Sequence, residues 1–115
     1  MNIFVYGANT QGRHGKGAAL EAVQKHGAVY GRVGLCGNSY GVITKELRAN
    51  YPPITIKDIS KEIDLLIICA YEHPDYTFIC TPFGTGLAGF SHDIMRALFQ
   101  EKEVPSNIIL PEEWR

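Results

Sequence analysis

The chain has 115 residues, 45% of them hydrophobic and 20% charged, the profile of one globular core and not of a disordered, collagen-like or disulfide-stapled chain. Eleven basic against twelve acidic side chains leave a formal charge of −1, with no excess positive field to hold a nucleic-acid backbone, so general DNA or RNA binding is excluded. The three cysteines (36, 69 and 80) are odd in number and lack CxxC spacing, and the longest apolar run, residues 65–71, is too short for a bilayer. The opening MNIFVYG carries no basic leader region, so the expectation is a cytoplasmic protein with reduced thiols and no membrane partner.

Residues 2–6 are β-branched and aromatic and stop at Gly7, which predicts a buried first strand. Ala18, Ala19, Ala22, Val23 and His26 then follow helical spacing up to Gly27, predicting a helix over 16–26. Glycines at 31, 34, 37 and 41 break the next stretch into loops and short strands, and strand character resumes over 39–44. Pro52 and Pro53 enforce an extended connector.

Asp58 is the expected N-cap of a helix over 57–72, with Ile59, Ile63, Leu66, Ile67 and Ala70 on one face; the LLIIC core alone would suit a strand, but the length of the shared apolar face decides for helix. Residues 76–81 read as a central strand buried on both faces, stopped by Pro82 and Gly84. Ser91 caps a last helix over 92–101 whose Ile94, Met95, Leu98 and Phe99 share a face, and Pro105 introduces a short strand at 107–110. Strands alternating with helices predict a single α/β domain over 1–115, a three-layer sandwich around a mostly parallel central sheet.

All twelve glycines fall between Gly7 and Gly41 or within 84–89, and each window follows an expected strand and precedes a helix. That is where an α/β sheet offers free backbone amides to an anion, above all a phosphate. The first window, GANTQGRHGKGAA, is not a Walker A loop, because Thr10 occupies the position of its leading glycine and Gly17 stands directly after Lys16, where a Ser or Thr hydroxyl is required. The GxGxxG fingerprint fails as well. Arg13, His14 and Lys16 supply local positive charge, and the second window, FGTGLAGFS, spaces its glycines by two and three, suited to wrapping a diphosphate. His26, His73 and His92 form no HxH or HExxH pattern, so no metal site and no cofactor are implied; Cys36 has no histidine beside it and receives no role.

The AN followed by a glycine-rich turn into an alanine-rich helix, the later GTGLAGF, the GNSYGVITK segment and the closing ILPEEW together resemble macro domains, in particular the small macro-like proteins of bacteria and their phages. The resemblance implies a macro-like sandwich that binds ADP-ribose or a cyclic, NAD-derived relative, with sequestration of a signalling nucleotide as a phage counter-defence role in the host cytoplasm. On that likeness Asn9 would sit beside the distal ribose, Gly12, Arg13, His14, Gly15, Lys16 and Gly17 would form the first phosphate loop, and Gly84, Thr85, Gly86, Leu87, Ala88, Gly89 and Phe90 would enclose the diphosphate. VITK, ending at Lys45, also resembles the macro-fold hydrolases whose lysine attacks the anomeric carbon of an ADP-ribosyl ester. Those enzymes pair the lysine with an aspartate after GxGL, where this chain has Ala88, and their earlier Asp-Ile-Thr adenine segment has no counterpart here. His14, His92 and Asp93 are the remaining candidates for proton transfer. The reading is therefore a binder, with an ADP-ribosyl hydrolase using Lys45 as the alternative; the sequence leaves the oligomeric state open.

Overall fold

The computed structural model describes all 115 residues. Strand β1 (Asn2–Asn9) leads through a glycine loop to helix α1 (Gly17–Lys25); β2 (Gly34–Cys36) and β3 (Ser39–Lys45) follow, then helix α2 (Ile56–Glu72), β4 (Thr77–Cys80), helix α3 (His92–Gln100), β5 (Ile108–Ile109) and a closing 3-10 turn, Glu112–Trp114. The strands form one sheet in the order β2-β3-β1-β4-β5. Only β2 runs antiparallel, to β3; the β1–β3, β1–β4 and β4–β5 pairings are parallel. The α/β fold and its mostly parallel sheet are thus as expected from the alternation of strand and helix patterns.

Alternation along β1 sorts the layers. Ile3 and Val5 are fully buried in the main core with Val42, Ile59, Ile63, Leu66, Phe78, Met95 and Trp114, which places α2 and α3 on that face. Tyr6 and Ala8 face the other way and bury Ala22 of α1 and Ala28. The second layer is narrow. Phe4 is covered by the His26 ring, whose centroid stacks 4.2 Å away, while Ile79 and Ile109, its neighbours in register on β4 and β5, are 42% and 38% exposed. The expectation that 76–81 is buried on both faces is therefore corrected: no helix covers that half of the sheet.

Two further boundaries differ from the sequence reading, each for a physical reason. β1 does not stop at Gly7 but continues to Asn9, and Gly7 serves a close approach: a Cβ there would lie 3.2 Å from Thr44 Oγ1 and 3.6 Å from the Gly84 amide. Helix α2 is capped by Thr55, whose hydroxyl accepts from the Asp58 amide, while the Asp58 carboxylate accepts from the Thr55 amide. Asp58 is the reciprocal member of this capping box, not the N-cap. Ser91 caps α3 as expected, accepting from the Ile94 amide at 3.1 Å.

Polar side chains close the seams. Beyond the last residue paired with β2, the Ile43 amide donates to Glu62 Oε1 of α2 at 2.9 Å, so an open strand edge is capped by the helix above it. The Asn107 amide group donates to three carbonyls, those of Ala70, His73 and Tyr76, at 3.0–3.1 Å, tying the end of α2 to the start of β4 and β5. No helix is long and apolar enough to cross a membrane.

Asn107→Ala removes the side-chain donor that serves all three carbonyls and is expected to destabilise the fold by about 1–3 kcal/mol in chemical denaturation. Asn107→Asp, which sets an acceptor against three acceptors, is expected to be at least as damaging at neutral pH. A variant as stable as wild type would show that the α2–β5 junction holds without it.

Candidate functional site

At the carboxyl ends of β1, β3 and β4 the sheet opens into a cavity of about 890 Å³. Twenty residues line it, contributed by the end of β1, the first glycine loop, the start of α1, the end of β3 and the segment 81–88. It holds three cationic side chains, Arg13, Lys16 and Lys45, and no carboxylate or histidine. A smaller cavity of about 240 Å³ adjoins it, sharing Thr44, Lys45, Leu87 and Ala88 and adding Glu46, Pro53, Ile54 and Phe90.

The first loop is shaped by Asn9. Its side-chain carbonyl accepts from the Gln11 and Arg13 amides at 3.1 and 3.0 Å, and its amide group donates to the Arg13 carbonyl at 2.8 Å. The Gly12 amide donates to the Asn9 carbonyl, and the Gly31 amide donates to the Gly12 carbonyl. Gly12 is required there: its φ is +62°, and a Cβ would lie 2.5 Å from the Gly31 backbone. The chain then runs directly into α1 without a side-chain cap and with no acidic residue in its first turn. The amides of Gly17, Ala18 and Ala19 thus stand free at the cavity wall, where a helix terminus favours an anion.

The opposite wall is the second window. Gly89 donates to the Gly86 carbonyl and Phe90 to the Gly84 carbonyl, closing a compact loop. Inside it the amides of Gly84, Gly86, Leu87 and Ala88 bond to no group of the protein. Beneath, Gly84 rests on Met95, and Phe83 packs at right angles on Trp114 with centroids 5.1 Å apart. Trp114 Nε1 in turn donates to His92 Nδ1 at 3.1 Å. The closing ILPEEW segment is thereby a buttress of this loop and does not reach the cavity.

The floor comes from a β-bulge. Register between β1 and β3 passes from Ala8–Ile43 to Asn9–Lys45, so Thr44 is the extra residue, and Thr44 and Lys45 both line the cavity although they are sequence neighbours. The strand end is then locked. Thr10 donates through its amide to the Lys45 carbonyl at 3.0 Å and through its hydroxyl to Glu46 Oε2, and Arg48 grips the same carboxylate with contacts of 2.7–3.2 Å. Tyr51 covers the Arg48 guanidinium at 3.7 Å. The Glu46 side chain is 6% exposed, and its hydrogen bonds from Arg48 hold its carboxyl down at about 2.

Asn9, Arg13, Gly15, Lys16, Gly17, Lys45, Gly84, Thr85, Gly86, Leu87 and Ala88 all lie around the main cavity. Four expected residues do not. His14 turns inward, 3% exposed, with Nε2 2.9 Å from the Tyr6 hydroxyl and Nδ1 unpartnered, and does not line the cavity. Gly12 is spent on the turn against Gly31, Gly89 closes the second loop, and Phe90 packs on the main core and faces the smaller cavity. The candidate proton donors fare likewise: His92 is engaged by Trp114 and Asp93 by Arg96 at 3.0 Å, both outside the cavity. Cys80 is buried, which pushes its thiol up to about 12, and burial, with Glu72 nearby, also raises Cys69; neither is poised as a nucleophile. Thr44, Leu47, Thr81, Pro82 and Phe83 line the cavity without having been singled out; Thr81 and Pro82 follow β4 directly, which is the signal that marks them.

Comparison of the chain with protein-family models, with curated proteins and with solved structures finds no match.

Because the folded carboxyl of Glu46 titrates near 2 against an ordinary 4.5, its ion pair is fully stabilising above the ordinary value and is lost as the pH falls toward 2. Wild type is therefore expected to be more stable than Glu46→Gln at pH above about 5, with the difference vanishing toward pH 2 in denaturant titrations. A difference independent of pH would show that the carboxylate's charge contributes nothing to the rim.

Proposed function

We propose that the cavity binds an ADP-ribose-containing or NAD-derived, cyclic nucleotide and holds it intact, so that the protein acts by sequestering the ligand. The observation that carries this reading is the pairing of two walls of unpaired backbone amides, one at the α1 terminus and one in the segment 84–88, around three cations and no carboxylate. A diphosphate presents anionic oxygens to both walls at once, and the volume is of the size that takes a nucleotide. The macro-like character of the two loops supports the same ligand class, and a counter-defence role against a nucleotide signal follows if the chain is phage-encoded.

Lys45 at the cavity floor favours the alternative, an ADP-ribosyl hydrolase. Attack by its amine requires a partner to take the proton, worth about a hundred- to ten-thousandfold in rate. Ala88 stands where the macro-fold hydrolases that this loop resembles carry their aspartate, and Glu46, clamped as a carboxylate by Arg48, has a pKa far below that of a useful acid or base. The chemistry therefore favours retention over turnover.

Calorimetric titration with ADP-ribose and cyclic ADP-ribose isomers is expected to show saturable binding, with the ligand recovered unchanged by chromatography after long incubation. Gly86 and Gly15 line the cavity, and a Cβ on either meets nothing within 4 Å, so Gly86→Val and Gly15→Val are expected to fold normally and to lose at least about tenfold in affinity by filling the anion wall. Absence of heat with every nucleotide overturns the reading. Rapid release of ADP-ribose from a glutamyl-ADP-ribosylated substrate, abolished by Lys45→Ala, replaces it with the hydrolase.

A further inference from the structure

Helix α2 turns Ile59, Ile63, Leu66, Ile67 and Ala70 into the core, yet its outer face is not a solvated polar one. Leu65 and Ile68 are 52% and 53% exposed, and Tyr71 beside them is 59% exposed. Lys61, Leu65, Ile68 and Glu72 recur at spacings of four, three and four, and at 3.6 residues per turn they fall within an arc of about 60° pointing directly away from the buried stripe. This is the seam spacing of a helix that packs on another helix. Inside the chain nothing covers it: Lys61 and Glu72 take part in none of the protein's ion pairs, whereas the adjoining Asp64 is already held by Lys102 at 2.8 Å.

The charge order along the seam selects the partner. Its amino-terminal end is Lys61, its centre is Leu65 and Ile68, and its carboxyl-terminal end is Glu72. Turned about a two-fold axis between residues 66 and 67, the seam is complementary to itself. Leu65 then meets Ile68 of a second copy, and each Lys61 meets the other copy's Glu72, so one apolar centre is closed by two opposite-charge pairs. A parallel arrangement would instead set lysine beside lysine and glutamate beside glutamate. The geometry points to α2 as a homodimer interface, with two copies packed antiparallel along Lys61, Leu65, Ile68 and Glu72.

A shallow crossing angle of about 20° keeps both ends of the seam in contact across a helix separation of about 8–10 Å. One helix pair covers less than the roughly 1,200 Å² of a stable interface, so the dimer is weak and forms at tens to hundreds of micromolar. The near-zero net charge of −1 puts little long-range repulsion in its way. No residue of α2 lines the cavity, so association and nucleotide binding are separable.

Sedimentation of the full chain from about 10 μM to about 1 mM at low salt is expected to pass from monomer to dimer, and to shift toward monomer at high salt. Lys61→Glu alone and Glu72→Lys alone each place like charges at both ends and are expected to weaken association by about tenfold or more. The double variant Lys61→Glu/Glu72→Lys restores it, and an equimolar mixture of the two single variants forms a heterodimer in which both pairs are rebuilt. Ile68→Asp abolishes association while circular dichroism confirms the fold. A protein monomeric throughout the range overturns the interface. Association that survives the single reversals or Ile68→Asp overturns it too, and assigns self-contact to another face, such as exposed Ile79 and Ile109.

Discussion

Everything in this protein hangs on β1 being buried from both faces while pairing with a parallel neighbour along each edge. Ile3 and Val5 reach zero exposure under α2 and α3, and Tyr6 and Ala8 are buried under α1, so one eight-residue strand joins both layers. Its backbone groups are satisfied by β3 on one side and β4 on the other. Parallel pairing on both sides has a further consequence: β1, β3 and β4 all end at the same edge of the sheet, and the loops that follow β1 and β4 must start there. The cavity is a product of that topology before any side chain is considered.

The chemistry of the cavity rests on what the surrounding polar network has already used. Asn9 consumes three hydrogen bonds in shaping the first loop, and Glu46 is fully taken up by Arg48 and Thr10. These groups hold the wall still through bonds within the protein. What is left facing the space is backbone N–H, three cations, threonines and apolar side chains such as Leu47, Pro82 and Leu87, with no carboxylate or histidine among them.

The second layer of the sandwich is thinner than the first, and this shapes the outer surface. The nine-residue α1 covers the β1 and β3 side only, leaving Ile79 and Ile109 half open to solvent. On the other face, the seventeen-residue α2 is long enough to bury one stripe and still present a second apolar stripe outward. The outward stripe carries opposite charges at its two ends, whereas the sheet patch has no such flanking pattern within the sheet, which is why only the helix specifies a particular partner orientation.

By itself the sequence determined the α/β class, the three helices, the Ser91 cap and the two glycine windows, because each rests on local periodicity or on a residue with a fixed conformational preference: the 3.6-residue apolar repeat, a hydroxyl before a helix, glycine at a turn. It pointed to Arg13, Lys16 and the 84–88 segment for the same reason, as charges and glycines set beside strand ends, whereas Lys45 came from the resemblance of VITK to macro-fold hydrolases. Tertiary structure alone decided the rest. Gly7 reads as a stop signal and is a close-packing site, since only the approach of Thr44 and Gly84 from distant parts of the chain gives it that role. His14 reads as a loop cation and is buried against Tyr6, and the bulge that brings Thr44 and Lys45 together exists only in the register between β1 and β3. Burial, register and edge alignment are relations between segments far apart in the chain, and no local pattern encodes them.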